Sequence, residues 1–153
     1  MKKMSIAIGS DEIAFEFKEI IKSYISELGH DVADYGVYNE NPVLYPDIAV
    51  KVAQAIADGK HERGILICGT GIGMAIAANK VPNIRAAVCH DPYSTERARK
   101  SNNAQIMTMG ARIIGIELAK FLVSTWLDSE FEGGRSKMKV DKISEYERVF
   151  REK

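Results

Sequence analysis

Apolar and polar positions along this chain alternate between two periods. Short apolar runs at residues 4–10, 31–35, 64–68, 85–89 and 104–109 predict five strands. Helical patterns lie between them. In the first, Ile13, Phe17, Ile20, Ile21, Tyr24, Ile25 and Leu28 share one face, and Gly29 follows as a stop. Residues 39–46 carry Pro42 and Pro46 and predict a loop. Residues 47–58 predict a helix capped by Asp47, and residues 72–79, 92–101 and 114–127 predict three more. Gly133-Gly134-Arg135 reads as a hinge, and a charged helix is predicted from about residue 139 to 151.

Strands that alternate with helices imply an α/β fold: a Rossmann-like three-layer α/β/α sandwich around a five-stranded parallel sheet, with right-handed crossovers. The 153 residues predict one domain, 1–153, with residues 134–153 as its C-terminal helical segment. Ligands in such folds bind outside the carboxyl ends of the strands. Asp11, Cys68, His90 and Gly110 occupy such positions. The last helix breaks the βα rhythm, so it either packs on its own domain or reaches to a partner.

Composition narrows the function classes. Lys plus Arg and Asp plus Glu number 21 each, so the chain lacks the basic surplus that nucleic acid or an anionic membrane surface demands. A local anion site remains compatible with that balance. The start, Met1-Lys2-Lys3 followed by Met4 to Gly9, has too short an apolar part for a signal peptide and reads as a strand. No later run is long enough to span a bilayer. Cys68 and Cys89 each end an apolar run without metal-ligand spacing, and His30, His61 and His90 are scattered. A reducing cytoplasm and a site without metal are therefore expected.

The strongest chemical signal is Gly64-Ile65-Leu66-Ile67-Cys68-Gly69-Thr70-Gly71-Ile72-Gly73. An apolar strand ends at a thiol, and glycines then let several backbone N–H groups converge on one small space. Cys68 reads either as a small buried hydrophobe or as a nucleophile or proton acceptor whose thiolate is favoured at a helix start. The glycines lack the Rossmann G-x-G-x-x-G spacing and no Lys-Ser/Thr follows them, so a tight turn and an oxyanion nest are both open. Asp11 reads as a helix cap or a hydroxyl acceptor, and Asn102 as a turn residue. Arg112 and Lys139 read as surface charges or anion ligands, and Arg135, in a Gly-Gly-Arg turn, suits a phosphate.

Residues 64–73 with Ala77-Ala78-Asn79-Lys80-Val81-Pro82 resemble the ribose-5-phosphate isomerase B family, which includes the galactose-6-phosphate isomerase subunits. Ile84-Arg85-Ala86, Pro92-Tyr93-Ser94, Gly110-Ala111-Arg112 and Glu132-Gly133-Gly134-Arg135 extend the resemblance over nearly the whole chain. It implies interconversion of phosphorylated aldoses and ketoses without a metal or organic cofactor. It makes Cys68 the base that moves a proton between C1 and C2, with the backbone of Gly69, Gly71, Ile72 and Gly73 holding the enediolate and Thr70 bonding a reacting oxygen. Asp11 and Asn102 would bind hydroxyls. Arg112, Arg135 and Lys139 would hold phosphate, some of them from the neighbouring subunit of a homodimer, possibly within a tetramer. The last helix then becomes the element that reaches the partner.

Three positions depart from the family pattern. Glu12 replaces a histidine after Asp11, Ser101 replaces the ring-opening histidine, and Lys139 replaces an arginine. Glu12 and Ser101 thus enter the catalytic set as substitutes of different chemistry. A four-carbon sugar phosphorylated on O4 cannot close a furanose and needs no ring opener. The runs 9–12 and 101–106 resemble the branch that isomerises D-erythrulose 4-phosphate, which ranks that substrate above ribose 5-phosphate. The competing readings are a non-catalytic nucleotide-binding module and an inactive subunit of a heteromeric isomerase.

Overall fold

The structure, a computed structural model, describes residues 2–153. Met1, the first residue of the basic start, lies outside the described residues. The elements follow in the order β1 (Ser5–Ser10), α1 (Phe15–Glu27), β2 (Asp31–Asp34), α2 (Tyr45–Ala57), β3 (Arg63–Cys68), α3 (Ile72–Ala78), β4 (Ala86–Val88), α4 (Pro92–Lys100), β5 (Ile106–Gly110), α5 (Ile116–Leu127) and α6 (Arg135–Arg151). All strand pairings are parallel, in the order β2-β1-β3-β5-β4.

The period of two in the strands sends alternate side chains to opposite faces. Ile6 and Ile8, Ile65 and Ile67, and Met107 and Met109 pack with α1, α4 and α5. Ala7, Leu66, Cys68 and Ile106 pack with α2 and α3. These two cores make the three predicted layers. The edge strand β4 is short, and the Asn79 side chain completes it by both donating to the Ala86 carbonyl (2.9 Å) and accepting from the Ala86 N–H (2.8 Å). No helix among the described residues is long and apolar enough to cross a membrane.

Several boundaries move for local reasons. Helix α2 begins at Tyr45 with Pro46 in its first turn and no side-chain cap, so Asp47 lies inside the first turn, where its charge complements the helix dipole. Helix α6 starts at Arg135, four residues before the expected start, because the Gly133 and Gly134 carbonyls accept from Ser136 and Lys137 N–H. The hinge is therefore Gly133-Gly134 alone, and both glycines have positive φ. Of the predicted apolar face, Ile13 falls before α1 and is exposed, Ile20 on α1 is exposed as well, and Lys18 is fully buried instead.

Lys18 shows how the helix joins β2. Its Nζ donates to both Asp34 oxygens (2.8 and 2.7 Å) and to the Val37 carbonyl. Burial pushes the Asp34 carboxyl up, but the Lys18 ammonium, the Gly36 N–H and Lys22 outweigh it and hold Asp34 below its ordinary 3.8. The stability that Asp34 contributes is thus complete above pH 3.8 and lost as pH falls through the folded value. Lys18→Met should lower stability at pH 7 by about 3 kcal/mol, because it leaves a carboxylate half-paired in the interior. Urea unfolding from pH 7 down to pH 3 should also show a shallower acid loss in the variant.

Candidate active site

The sheet order reverses between β1 and β3, and the glycine loop leaves β3 beside that point. Cys68 ends β3 in register with Gly110 of β5. Its side chain is the last residue of the α2/α3 face, which leaves it 5% exposed. The chain then turns through Gly69 and Thr70 to Gly71, whose positive φ of 78° reverses the backbone. That reversal aims the Gly71 N–H at the Cys68 sulfur, 3.1 Å away. That donor fixes the position of the sulfur, and the neighbouring N–H groups can meet a developing oxyanion.

The loop is seated directly on β5. Thr108 Oγ1 donates to the Gly71 carbonyl (2.8 Å), and Ala111 and Arg112 N–H donate to the Cys68 and Gly69 carbonyls (2.8 and 3.1 Å). A Cβ at Gly71 would fall within 2.9–3.0 Å of the Met109 backbone, and one at Gly110 within 2.6 Å of the Gly69 carbonyl oxygen and of Thr70 Cα. Only glycine fits either position.

Around this loop the structure gathers part of the predicted set. Asp11 is buried at the end of β1, where its N–H donates to the Ile67 carbonyl (3.2 Å) and its Oδ1 accepts from Ala14 N–H (3.1 Å). Asp11 thus closes the turn before α1 and does not cap the helix, whose N-cap is Ala14 with no side-chain cap. Burial raises the Asp11 carboxyl above its ordinary 3.8, and Glu12 adds to this, against the Ala14 N–H and the opposing field of Arg112. Glu12 Oε2 accepts from Val43 N–H (3.3 Å), which ties the loop before α2 to the site. Thr70 is exposed, and its Oγ1 accepts from Ile72 N–H (3.3 Å), which leaves its own hydrogen free to donate. The Arg112 side chain approaches Gly69, with Cδ 3.7 Å from where a Cβ would stand. Ile72 and Gly73 open α3.

Tyr45 belongs to this group and was missed in the sequence. Its hydroxyl and ring lie over Gly73, closer than any Cβ there would tolerate. Tyr45 and Gly73 are distant along the chain, and the sequence placed Tyr45 only in the predicted loop of residues 39–46.

Ser101, Asn102, Arg135 and Lys139 stand elsewhere in the single chain. Helix α4 runs back from the carboxyl ends, and Ser101 and Asn102 close its far end by donating N–H to the Arg97 carbonyl (2.9 and 3.2 Å). Ser101 Oγ accepts from Arg97 Nη1 (3.1 Å). The segment entering α6 joins the same end through Glu132 N–H on the Lys100 carbonyl (3.1 Å), so the exposed Arg135 starts there and exposed Lys139 follows one turn on. A cavity of about 690 Å3 runs between β4, α4 and α6. It includes Asn102 but neither Cys68 nor the glycine loop, and its lining carries no thiol.

Gly71→Ala should cost about 2 kcal/mol or more, the sum of a left-handed backbone and a rigid clash, measured as the shift in a denaturant midpoint.

Residues 6–143 match the family described as Ribose/Galactose Isomerase. The chain is 59% identical over 146 residues to the D-erythrulose-4-phosphate isomerase of Pectobacterium atrosepticum, covering 94% of this chain and 95% of that protein. It is 56% identical over 142 residues to Ribose-5-P isomerase B of Listeria innocua, covering 93% and 96%. Among solved structures, ribose-5-phosphate isomerase B of Clostridium thermocellum superposes with a TM-score of 0.94 at 46% identity, over 96% of this chain and 99% of that one. A thiol-bearing glycine loop at the switch point of a five-stranded parallel sheet, with relatives matched over nearly their full lengths, places this chain in the ribose/galactose isomerase family.

Proposed function

We propose that this protein is an aldose–ketose isomerase of short phosphorylated sugars that works by proton transfer between C1 and C2. The observation that carries this reading is the Gly71 N–H held 3.1 Å from the Cys68 sulfur inside the glycine loop. Cys68 as thiolate takes a proton from the carbon beside the carbonyl. The C–H electron pair forms the C1–C2 double bond, the carbonyl pair moves onto oxygen, and the enediolate results. The backbone of Gly69, Gly71, Ile72 and Gly73 meets that charge, and the free Thr70 hydrogen bonds one of the two oxygens. A hydroxyl proton passes between O1 and O2, and the sulfur returns its proton to the other carbon. Asp11 receives substrate hydroxyls. Arg112 holds phosphate away from the reacting carbons, which fixes orientation. A nucleotide-binding module is not favoured, because the glycine loop lacks the lysine that a nucleotide phosphate loop carries.

Ser101, Asn102, Arg135 and Lys139 lie away from the Cys68 end of their own chain. We therefore read the working unit as a homodimer in which these four residues serve the partner's loop, with α6 as the reaching element. The cysteines are both free, which suits a reducing cytoplasm.

We rank D-erythrulose 4-phosphate first as substrate and ribose 5-phosphate second. Neither replaced histidine has an imidazole as its successor: Ser101 is a hydroxyl that accepts from Arg97, and Glu12 is a carboxylate whose Oε2 accepts from Val43 N–H. An open-chain tetrose phosphate needs no such group. The 59% identity to a D-erythrulose-4-phosphate isomerase supports the same order.

Cys68→Ala should reduce kcat by about 10³-fold on either substrate, the size of a lost general base. Coupled assays of both sugars with that control test the reading. Unchanged turnover by the variant removes Cys68 as the base, and a higher kcat/KM for ribose 5-phosphate reverses the substrate order.

A further inference from the structure

The family's two active-site imidazoles are absent from this chain, yet one histidine does stand at the carboxyl edge of the sheet. His90 follows β4 by two residues, and its Nε2 accepts the Gly110 N–H at 2.9 Å. We propose that His90 is a positioning residue for the isomerisation: its neutral ring fastens the end of β5 beneath the Cys68–Gly73 loop, and protonating that ring slackens the loop and lowers kcat. This inference rests on the reading of Cys68 as the base.

The geometry gives the ring its leverage. Strand β4 pairs with β5 through Val88 and Thr108, and Cys89 N–H donates to the Thr108 carbonyl (2.9 Å). The next N–H outward on β5 is that of Gly110. It goes to an imidazole nitrogen, so the side chain carries the sheet bonding one step past the end of the strand. Gly110 is also the residue pressed against the Gly69 carbonyl and Thr70 Cα. The residues after it, Ala111 and Arg112, donate to the Cys68 and Gly69 carbonyls. A displacement of Gly110 is therefore passed to the atoms that flank the sulfur and the nest.

A ring nitrogen that accepts a hydrogen bond carries no proton. The imidazolium has no acceptor and would set N–H against N–H at this contact. Of the charges on the adjoining turns, Asp91 after β4 and Arg112 after β5, Asp91 favours the imidazolium. The first turn of α4, residues 92–95, carries no charged side chain, and the Cys68–Gly71 loop carries only the Cys68 sulfur as a titratable group. Burial outweighs Asp91 and moves His90 below its ordinary 6.5. Stability from the neutral ring is accordingly complete above pH 6.5 and lost as pH falls through the folded value. The acceptor role also distinguishes His90 from a ring opener, since its Nε2 is already occupied.

The test is the pH profile of kcat from pH 8 to pH 5 for wild type, His90→Gln and His90→Leu. Loss of a single base costs about tenfold per pH unit. Wild type should fall more steeply than that below pH 6.5, toward about a hundredfold per unit as a second proton enters. His90→Gln keeps an acceptor that does not titrate and should follow the single-base slope. His90→Leu lacks the acceptor at every pH, and its kcat should fall about tenfold at pH 8 with little change in KM, as expected for a misplaced transition-state cradle. Identical slopes for wild type and His90→Gln overturn the proposal, as does a change confined to KM. If His90→Leu fails to fold, the glutamine comparison decides alone. The unfolding midpoint is measured against pH in a Cys68→Ala background as well. There the same acid loss, abolished by His90→Gln, supports the clamp even if Cys68 proves not to be the base, and its absence refutes the clamp independently of turnover.

Discussion

The end of β5 lies so close to the loop after β3 that no side chain fits between them. A methyl group on Gly71 would meet the Met109 backbone, and one on Gly110 would meet the Gly69 carbonyl oxygen. This approach of two backbones determines where the Cys68 sulfur stands, which N–H reaches it, and which amides remain to receive charge. It is reinforced by donors from Thr108, Ala111 and Arg112. A rigid cradle of this kind is useful only when charge appears at a defined atom, since preorganised donors cost nothing to reorient during the reaction.

That constraint separates the two ends of the sheet into different roles. The carboxyl end holds the sulfur, the nest, Asp11, Glu12, Tyr45 and Arg112. The far end of α4 and the start of α6 hold Ser101, Asn102, Arg135 and Lys139. Helix α6 buries only Val140 among its side chains and exposes Met138, Ile143, Tyr146 and Phe150. It is held to its own chain mainly through polar ties, such as Glu147 to Asn83 N–H and Arg151 to the Lys80 carbonyl. That uncovered apolar surface is one support for the homodimer proposed above.

The replaced histidines gain a physical meaning from the same frame. Val43 N–H engages one oxygen of Glu12. The carboxylate has become a tie for the loop that precedes α2, and that helix brings Tyr45 over Gly73. No imidazole stands at positions 12 and 101, which accords with the open-chain substrate ranked first above.

Much of this was legible in the sequence. Periods of two and 3.6 revealed five strands and six helices, and the thiol between an apolar strand and three spaced glycines marked the site. Those signals are local: backbone sterics and side-chain alternation act within a few residues. The start of α6 was misplaced because carbonyls of Gly133 and Gly134 serve the helix, a detail of dihedral angle that composition does not carry. Buried Lys18 interrupts an apolar stripe, and its partner Asp34 comes from a different element. Tyr45 over Gly73 and His90 on Gly110 likewise join residues that are distant along the chain. The sequence by itself determined the elements, the layered fold and the thiol loop. The tertiary structure alone decided which distant groups meet that loop and which are carried to the opposite end, because those contacts depend on strand order and on how closely two backbones can approach.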